Sequence, residues 1–160
     1  AWNNVRFGGM PRVPDAAAQA VPITEAHHAR IAALDHAVFP APRAGFLHAW
    51  LTAPGHVALG LPRGGDLAGF GVIRPCRAGH KIGPLVADDA ADAEALAAAL
   101  LARVPAGEVF LDVPEPHREA VALAERLGLK PVFETARMYT GPAPPVARER
   151  IFGITTFELG

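Results

Sequence analysis

A single cysteine, Cys76, has no partner among the 160 residues, so no internal disulfide framework braces this chain, and its composition fits a reducing cytoplasm. Charge is scarce and balanced: charged residues are 19% of the total, and 15 basic side chains face 16 acidic ones for a formal charge of -1. No basic field is therefore available to hold nucleic acid or an anionic membrane surface. Long apolar runs are missing too, because Pro, Gly or a charge interrupts each one well short of membrane-spanning length. No basic n-region precedes an apolar stretch in the opening residues, so none of them reads as a signal peptide. His27, His28, His36, His48 and His56 contain no His-x-x-x-His pair, and no Glu-His motif has zinc spacing; they read as helix-face or surface residues, with no metal expected.

Hydrophobic residues are plentiful, at 51%, and the length suits one compact domain with a real core. Trp2 to Phe7 alternates loosely and reads as a terminal strand ending at a glycine pair, and the Pro- and Ala-rich stretch from Pro11 to Pro22 reads as a linker. Thr24 is a plausible N-cap for a helix with Ile31, Leu34 and Val38 at helical spacing, ending at Phe39–Pro40. A second helix is expected from about Pro42 to Thr52, with Phe46, Leu47, Trp50 and Leu51 on one stripe. The period then changes. His56 to Leu61 and Leu67 to Ile73 are short apolar runs joined by Arg63-Gly-Gly-Asp66, a strong hairpin signal.

Further on, a strand is expected at Lys81 to Ala87, a long helix from Asp88–Asp89 to about Arg103, and a nearly continuous apolar strand from Glu108 to Val113. A helix from His117 to Leu127 stops at Gly128, and strands follow at Val132 to Tyr139 and Ile154 to Leu159. This order predicts an α/β (α+β) domain: a mixed, mostly antiparallel sheet with helices on both faces.

Five segments then carry a resemblance. Gly71-Val-Ile-Arg-Pro-Cys-Arg77, Lys81-Ile-Gly-Pro-Leu85, Phe110-Leu-Asp-Val-Pro-Glu115, Glu134-Thr-Ala-Arg-Met-Tyr139 and Thr155-Thr-Phe-Glu-Leu-Gly160 resemble the C-terminal domain of two-domain N-acetyltransferases of the GNAT superfamily. The resemblance implies that residues 1–9 are the last strand of an earlier GNAT domain, 10–22 a linker, and 23–160 the C-terminal GNAT-like domain. The start at Ala1 fits that expectation of a longer chain. It further implies a parent enzyme that moves an acetyl group from acetyl-CoA to a small-molecule amine.

Two features that the resemblance leads one to expect are missing. GNAT folds hold the CoA pyrophosphate on a Gln/Arg-x-x-Gly-x-Gly/Ala loop that opens a helix. Here Leu85 to Glu94 contains no Gly, Arg or Lys, and Asp88, Asp89 and Asp92 put negative charge at the helix start, where a diphosphate would meet repulsion. GNAT enzymes also often carry a Tyr general acid on the helix after the fifth strand; Ala124 stands there, and it has no proton to give. No base is evident on the strand from Lys81 to Ala87 beyond the neighbouring His80, so the catalytic residues remain unassigned. The expectation is that acetyl-CoA is bound mainly by the N-terminal domain and that this half shapes the acceptor site.

The residues expected to do so are Asp112, Glu115, Glu134, Arg137 and Tyr139, lining a polar cleft. Arg74, Arg77 and Lys81 form a cationic rim suited to a carboxylate or phosphate. Asp112 lies in an apolar strand and needs a partner, for which Arg137, Arg74 and Arg77 are the candidates. The plainer alternatives are a structural ion pair at Asp112, a loop residue at Glu115 and a solvated cationic rim. Cys76 reads as a small strand residue. For the whole chain, the rivals are a non-catalytic ligand-sensing or dimerisation module, with a homodimer as partner, and unusual CoA binding through Arg74, Arg77 and Lys81.

Overall fold

A computed structural model describes residues 1–15 and 19–160. The linker reading of residues 10–22 thus lies partly outside the described residues. Among the described residues, eight strands form one sheet: β1 (Trp2–Gly9), β2 (Val21–Pro22), β3 (Val57–Arg63), β4 (Asp66–Pro75), β5 (His80–Ala87), β6 (Val109–Pro114), β7 (Lys130–Arg137) and β8 (Ile151–Gly153). Seven of them run in the order β2-β3-β4-β5-β6-β1-β7, and β8 pairs with β5. All ladders are antiparallel except the short one between β5 and β6. The mixed α/β architecture expected from the sequence is the one observed.

Helices cover both faces. On one side α3 (Ala90–Leu101) and α4 (Arg118–Arg126) bury Leu96, Leu100 and Leu123 against Ile82, Leu111 and Val113. On the other, α1 (His28–Val38) and α2 (Ala44–Thr52) bury Ile31, Leu34, Leu47 and Leu51 against Phe70, Val72 and Val86. Local chemistry sets the boundaries. Asp89 caps α3, its carboxylate accepting from the Asp92 N–H at 2.9 Å. Gly64 and Gly65 both have positive φ, 57° and 81°, as a two-residue turn with right-twisted strands requires. None of the described helices is long and apolar enough to cross a membrane.

One departure from expectation matters later. The last strand is Ile151–Gly153, whereas the sequence predicts one at Ile154 to Leu159. Beyond Gly153 the Thr156 hydroxyl accepts from the Glu158 and Leu159 N–H groups, and the Gly160 N–H bonds the Thr156 carbonyl. A threonine that satisfies its neighbours' backbone in this way favours a turn over a ladder. β1 lies within the sheet, hydrogen-bonded to β6 on one side and β7 on the other.

Candidate functional site

Strand register decides which side chains share a face, because directly opposed residues point the same way. Arg74 opposes Lys81, Lys81 opposes Phe110, and Arg6 lies between Asp112 and Phe133. Asn4 opposes Thr135 and Trp2 opposes Arg137. All lie on the side that carries α1 and α2. Those helices pack over β4 and the far end of β5, so the polar end of the face is left to the turn from Thr155 to Gly160.

Asp112 is the centre of this face. It is completely buried, and Arg6 clasps it with two parallel bonds, Nε to Oδ1 at 2.7 Å and Nη2 to Oδ2 at 3.0 Å. The Lys81 ammonium, also buried, donates to Oδ2. Phe157 closes the cluster, its ring centroid 4.5 Å from the Arg6 guanidinium carbon and 5.5 Å from Lys81 Nζ. The hydrogen bond to Asp112 holds the Arg6 guanidinium above its ordinary pKa. Burial pulls Lys81 below its own, more strongly than Asp112 restores it. The partners expected for Asp112 were Arg137, Arg74 and Arg77; the register gives Arg6 and Lys81 instead. Arg6 is the member of this cluster that the sequence did not point to. Its only signal was its place between the inward-facing Val5 and Phe7.

The other expected residues separate. Arg137 and Tyr139 meet: Arg137 Nε donates to the Tyr139 hydroxyl at 2.8 Å, leaving the phenolic proton free for another acceptor. Both line a cavity of about 400 Å³ with Asn4, Phe39, Thr135 and Gly160. Arg74, Arg77 and Lys81 line a neighbouring cavity of about 410 Å³ with Arg6, Cys76 and Phe110, and Glu158 borders both. Glu134 does not join them. It opposes Val5 and so points to the α3/α4 side of the sheet, exposed on β7. Glu115 is an exposed residue just past β6, its N–H bonded to the Asn3 carbonyl. The five-residue cleft is therefore reduced to Arg137 and Tyr139, with Asp112 as the buried tether behind the second cavity.

A third feature is the crevice beyond the parallel ladder. β5 and β6 pair only over His80–Ile82 and Val109–Leu111, then diverge. In sheets with parallel strands, ligands bind in the crevice beyond the strands' carboxyl ends. Here β8 lies in it. Gly153 and Ile151 pair with Leu85 and Val86 of β5, and the Ile154 N–H donates to the Asp112 carbonyl at 2.9 Å. A Cβ at Gly83 would stand 2.6 Å from the carbonyl oxygens of Ile154 and Thr155, so only glycine admits this close approach. His117, buried at the head of α4, donates Nδ1–H to the Ile151 carbonyl at 2.9 Å. A carbonyl can only accept, so Nδ1 is the donor here, and Nε2 has no hydrogen-bond partner among the described residues.

The start of α3 is equally committed. Asp89 caps it, Asp92 pairs with Arg63, and Asp88 pairs with Arg150. Burial, followed by repulsion from Asp89, raises the Asp92 pKa above its ordinary value. These residues do not fit a diphosphate, which would meet carboxylates in place of free donors. A raised folded-state pKa means the folded form favours the neutral acid, so stability is lost as pH rises through that pKa. Asp92→Asn should therefore exceed the parent in stability at pH 7, and denaturant unfolding should show the gap closing as pH falls towards the ordinary aspartate range. A gap that widens on acidification would contradict this.

Comparison with known proteins agrees with the fold. A family model described as an acetyltransferase (GNAT) domain matches residues 31–153. The holothin acyltransferase of Pseudoalteromonas sp. (strain SANK 73390) is 32% identical over 120 residues, which are 74% of this chain and 41% of that protein. A crystal structure of a candidate acetyltransferase from Pyrococcus horikoshii superposes with a TM-score of 0.82 at 23% identity, covering 100% of this chain and 52% of that one. A GNAT-family structure from Novosphingobium aromaticivorans DSM 12444 gives 0.61 at 18% identity over 83% of this chain and 61% of the other. At these identities the two structures speak for the fold. The chain spans about two fifths of the holothin acyltransferase and about half of the Pyrococcus protein.

Proposed function

Because this chain belongs to the GNAT acetyltransferase domain family, we propose that it is the acceptor-side domain of an acyltransferase, in which a second, N-terminal GNAT domain of the same protein holds acetyl-CoA. The acceptor is a small-molecule amine. The observation that carries this reading is the closed crevice: β8 lies between the diverging ends of β5 and β6, while Asp88, Asp89 and Asp92 occupy the head of α3. Both places where the fold would take a nucleotide thioester are filled by the chain itself. Open concave surface lies instead around Arg137 and Tyr139, around Arg74 and Lys81, and around Trp2 and His117. β1 fits the same picture, as a strand leading out of the earlier domain into this sheet.

In this arrangement the domain's work is orientation. The Tyr139 proton and the Arg137 fork position a polar acceptor, and the buried Asp112 cluster keeps the cavity floor rigid. In the longer protein, Arg137→Ala should raise the acceptor KM about tenfold, the effect expected for losing about 1.4 kcal/mol of binding, while the KM for acetyl-CoA stays unchanged. An equal rise in both constants would count against an acceptor-side role.

A second reading has one observation of its own. On β7, an outer strand, Val132 is 57% exposed and Phe133 60% exposed. A non-catalytic module that dimerises along β7 would cover them. Sedimentation at micromolar concentration separates the two readings: a dimer lost on Phe133→Ser, together with an unchanged acceptor KM in Arg137→Ala, favours the module.

A further inference from the structure

We propose that the cavity between Arg6, Arg74 and Lys81 is an oxyanion subsite that takes the carboxylate of the acceptor, making that acceptor a small amine with a carboxylate of its own. The inference deepens the acceptor-side reading and rests on it. Four cations line this cavity, Arg6, Arg74, Arg77 and Lys81, and the acids beside them are Asp112 and Glu158. Two positive charges are left uncompensated in a chain whose overall charge is -1. The excess is therefore local and belongs to the cavity.

Arg6 and Lys81 are already engaged by Asp112. Arg74 and Arg77 are not: among the described residues neither forms an ion pair. Arg74 is the sharper case. Its Nε is buried without any hydrogen-bond partner, and its Nη1 has only long contacts of 3.5 Å, to the Pro75 carbonyl and Cys76 Sγ. A buried guanidinium donor without an acceptor is a group that folding normally avoids. Its position is nonetheless fixed, for the guanidinium carbon lies 5.3 Å from the centroid of the Trp50 ring, and Trp50 is itself tied to the Gly83 carbonyl at 3.1 Å. A preset guanidinium with no counter-charge is what a carboxylate in the cavity completes, through the Nη donors that reach it.

The rest of the cavity selects among anions. Phe110 and Ala78 offer carbon surface for a short skeleton, and a cavity of about 410 Å³ holds a small molecule and no polymer. Glu158, whose carboxyl is held below its ordinary pKa first by the Thr156 hydroxyl, stands on the border with the Arg137–Tyr139 cavity. It is placed to meet an ammonium group at the other end of the same molecule.

Side-chain Nε–H resonances of the arginines in the 160-residue chain provide the test. The Arg74 signal is assigned by its loss in Arg74→Gln, and the backbone spectrum of that variant shows whether it stays folded. The probes are 4-aminobutyrate, inorganic phosphate and coenzyme A, each against sodium chloride at matched ionic strength. The expected result is a saturable shift of Arg74 Nε–H with 4-aminobutyrate, and binding at least tenfold weaker in Arg74→Gln than in an Arg126→Gln control. A shift with phosphate but none with 4-aminobutyrate overturns the carboxylate assignment. A shift with coenzyme A alone overturns both this subsite and the proposed division of labour. No saturable shift beyond the salt control overturns the subsite only, because the Arg137→Ala kinetics test the acceptor-side role separately.

Discussion

Asp112→Asn should lower the unfolding free energy by about 3–5 kcal/mol, the range found when one partner of a buried ion pair is removed. The size follows from what remains behind. Arg6 is partly exposed and can turn its charge to water, but the Lys81 side chain is only 4% exposed and would keep an ammonium in an apolar setting facing a neutral amide. Deleting that ammonium as well should relieve most of the damage. Lys81→Met combined with Asp112→Asn is expected to be more stable than Asp112→Asn alone, a strongly non-additive pair of the kind that contacting residues show. Denaturant unfolding of Asp112→Asn, Lys81→Met and the double variant checks this. A single-mutant loss under about 1 kcal/mol would mean that Asp112 is solvated, contrary to its complete burial.

Phe152→Ala is the second large effect. Phe152 is fully buried on β8, its ring centroid 4.6 Å from that of His117. Phe-to-Ala truncations in cores cost about 3–5 kcal/mol, because transfer free energy and cavity formation add. Here the loss should be visible locally too. β8 is only three residues long and is held chiefly by this side chain and by its pairing with Leu85 and Val86. The amides of Ile151 and Gly153 should then exchange faster than those of β4, which lies inside the sheet. Phe133→Ala on the exposed β7 serves as the contrast and should change stability by no more than about 0.5 kcal/mol. If both substitutions cost the same, β8 does not close the crevice.

Local signals in the sequence predicted the local structure well. Arg63-Gly-Gly-Asp66 states a two-residue turn because both glycines must take positive φ, and the aspartates before α3 state a cap because a carboxylate there meets free N–H groups. What stayed hidden depends on residues far apart in the chain. Arg6 and Asp112 are 106 positions apart, and nothing near either one shows that β1 lies between β6 and β7. Thr155 to Leu159 alternates like a strand, yet the Thr156 hydroxyl turns the chain back towards Gly160. Glu134 and Arg137 are three apart on one strand and so lie on opposite faces, a parity visible in the sequence once the strand is assigned. The charge excess around Arg74 was legible as a cluster; the orphaned Nε was not.

The central claim is that this domain's own chain fills the places where an acyl-CoA would otherwise sit, and calorimetric titration of acetyl-CoA into the 160-residue protein tests it most directly. No saturable heat is expected at concentrations up to about 1 mM, where even a binding free energy of about -4 kcal/mol would register. Saturable micromolar binding of acetyl-CoA would contradict it, since the cofactor would then have to share the crevice that β8 occupies.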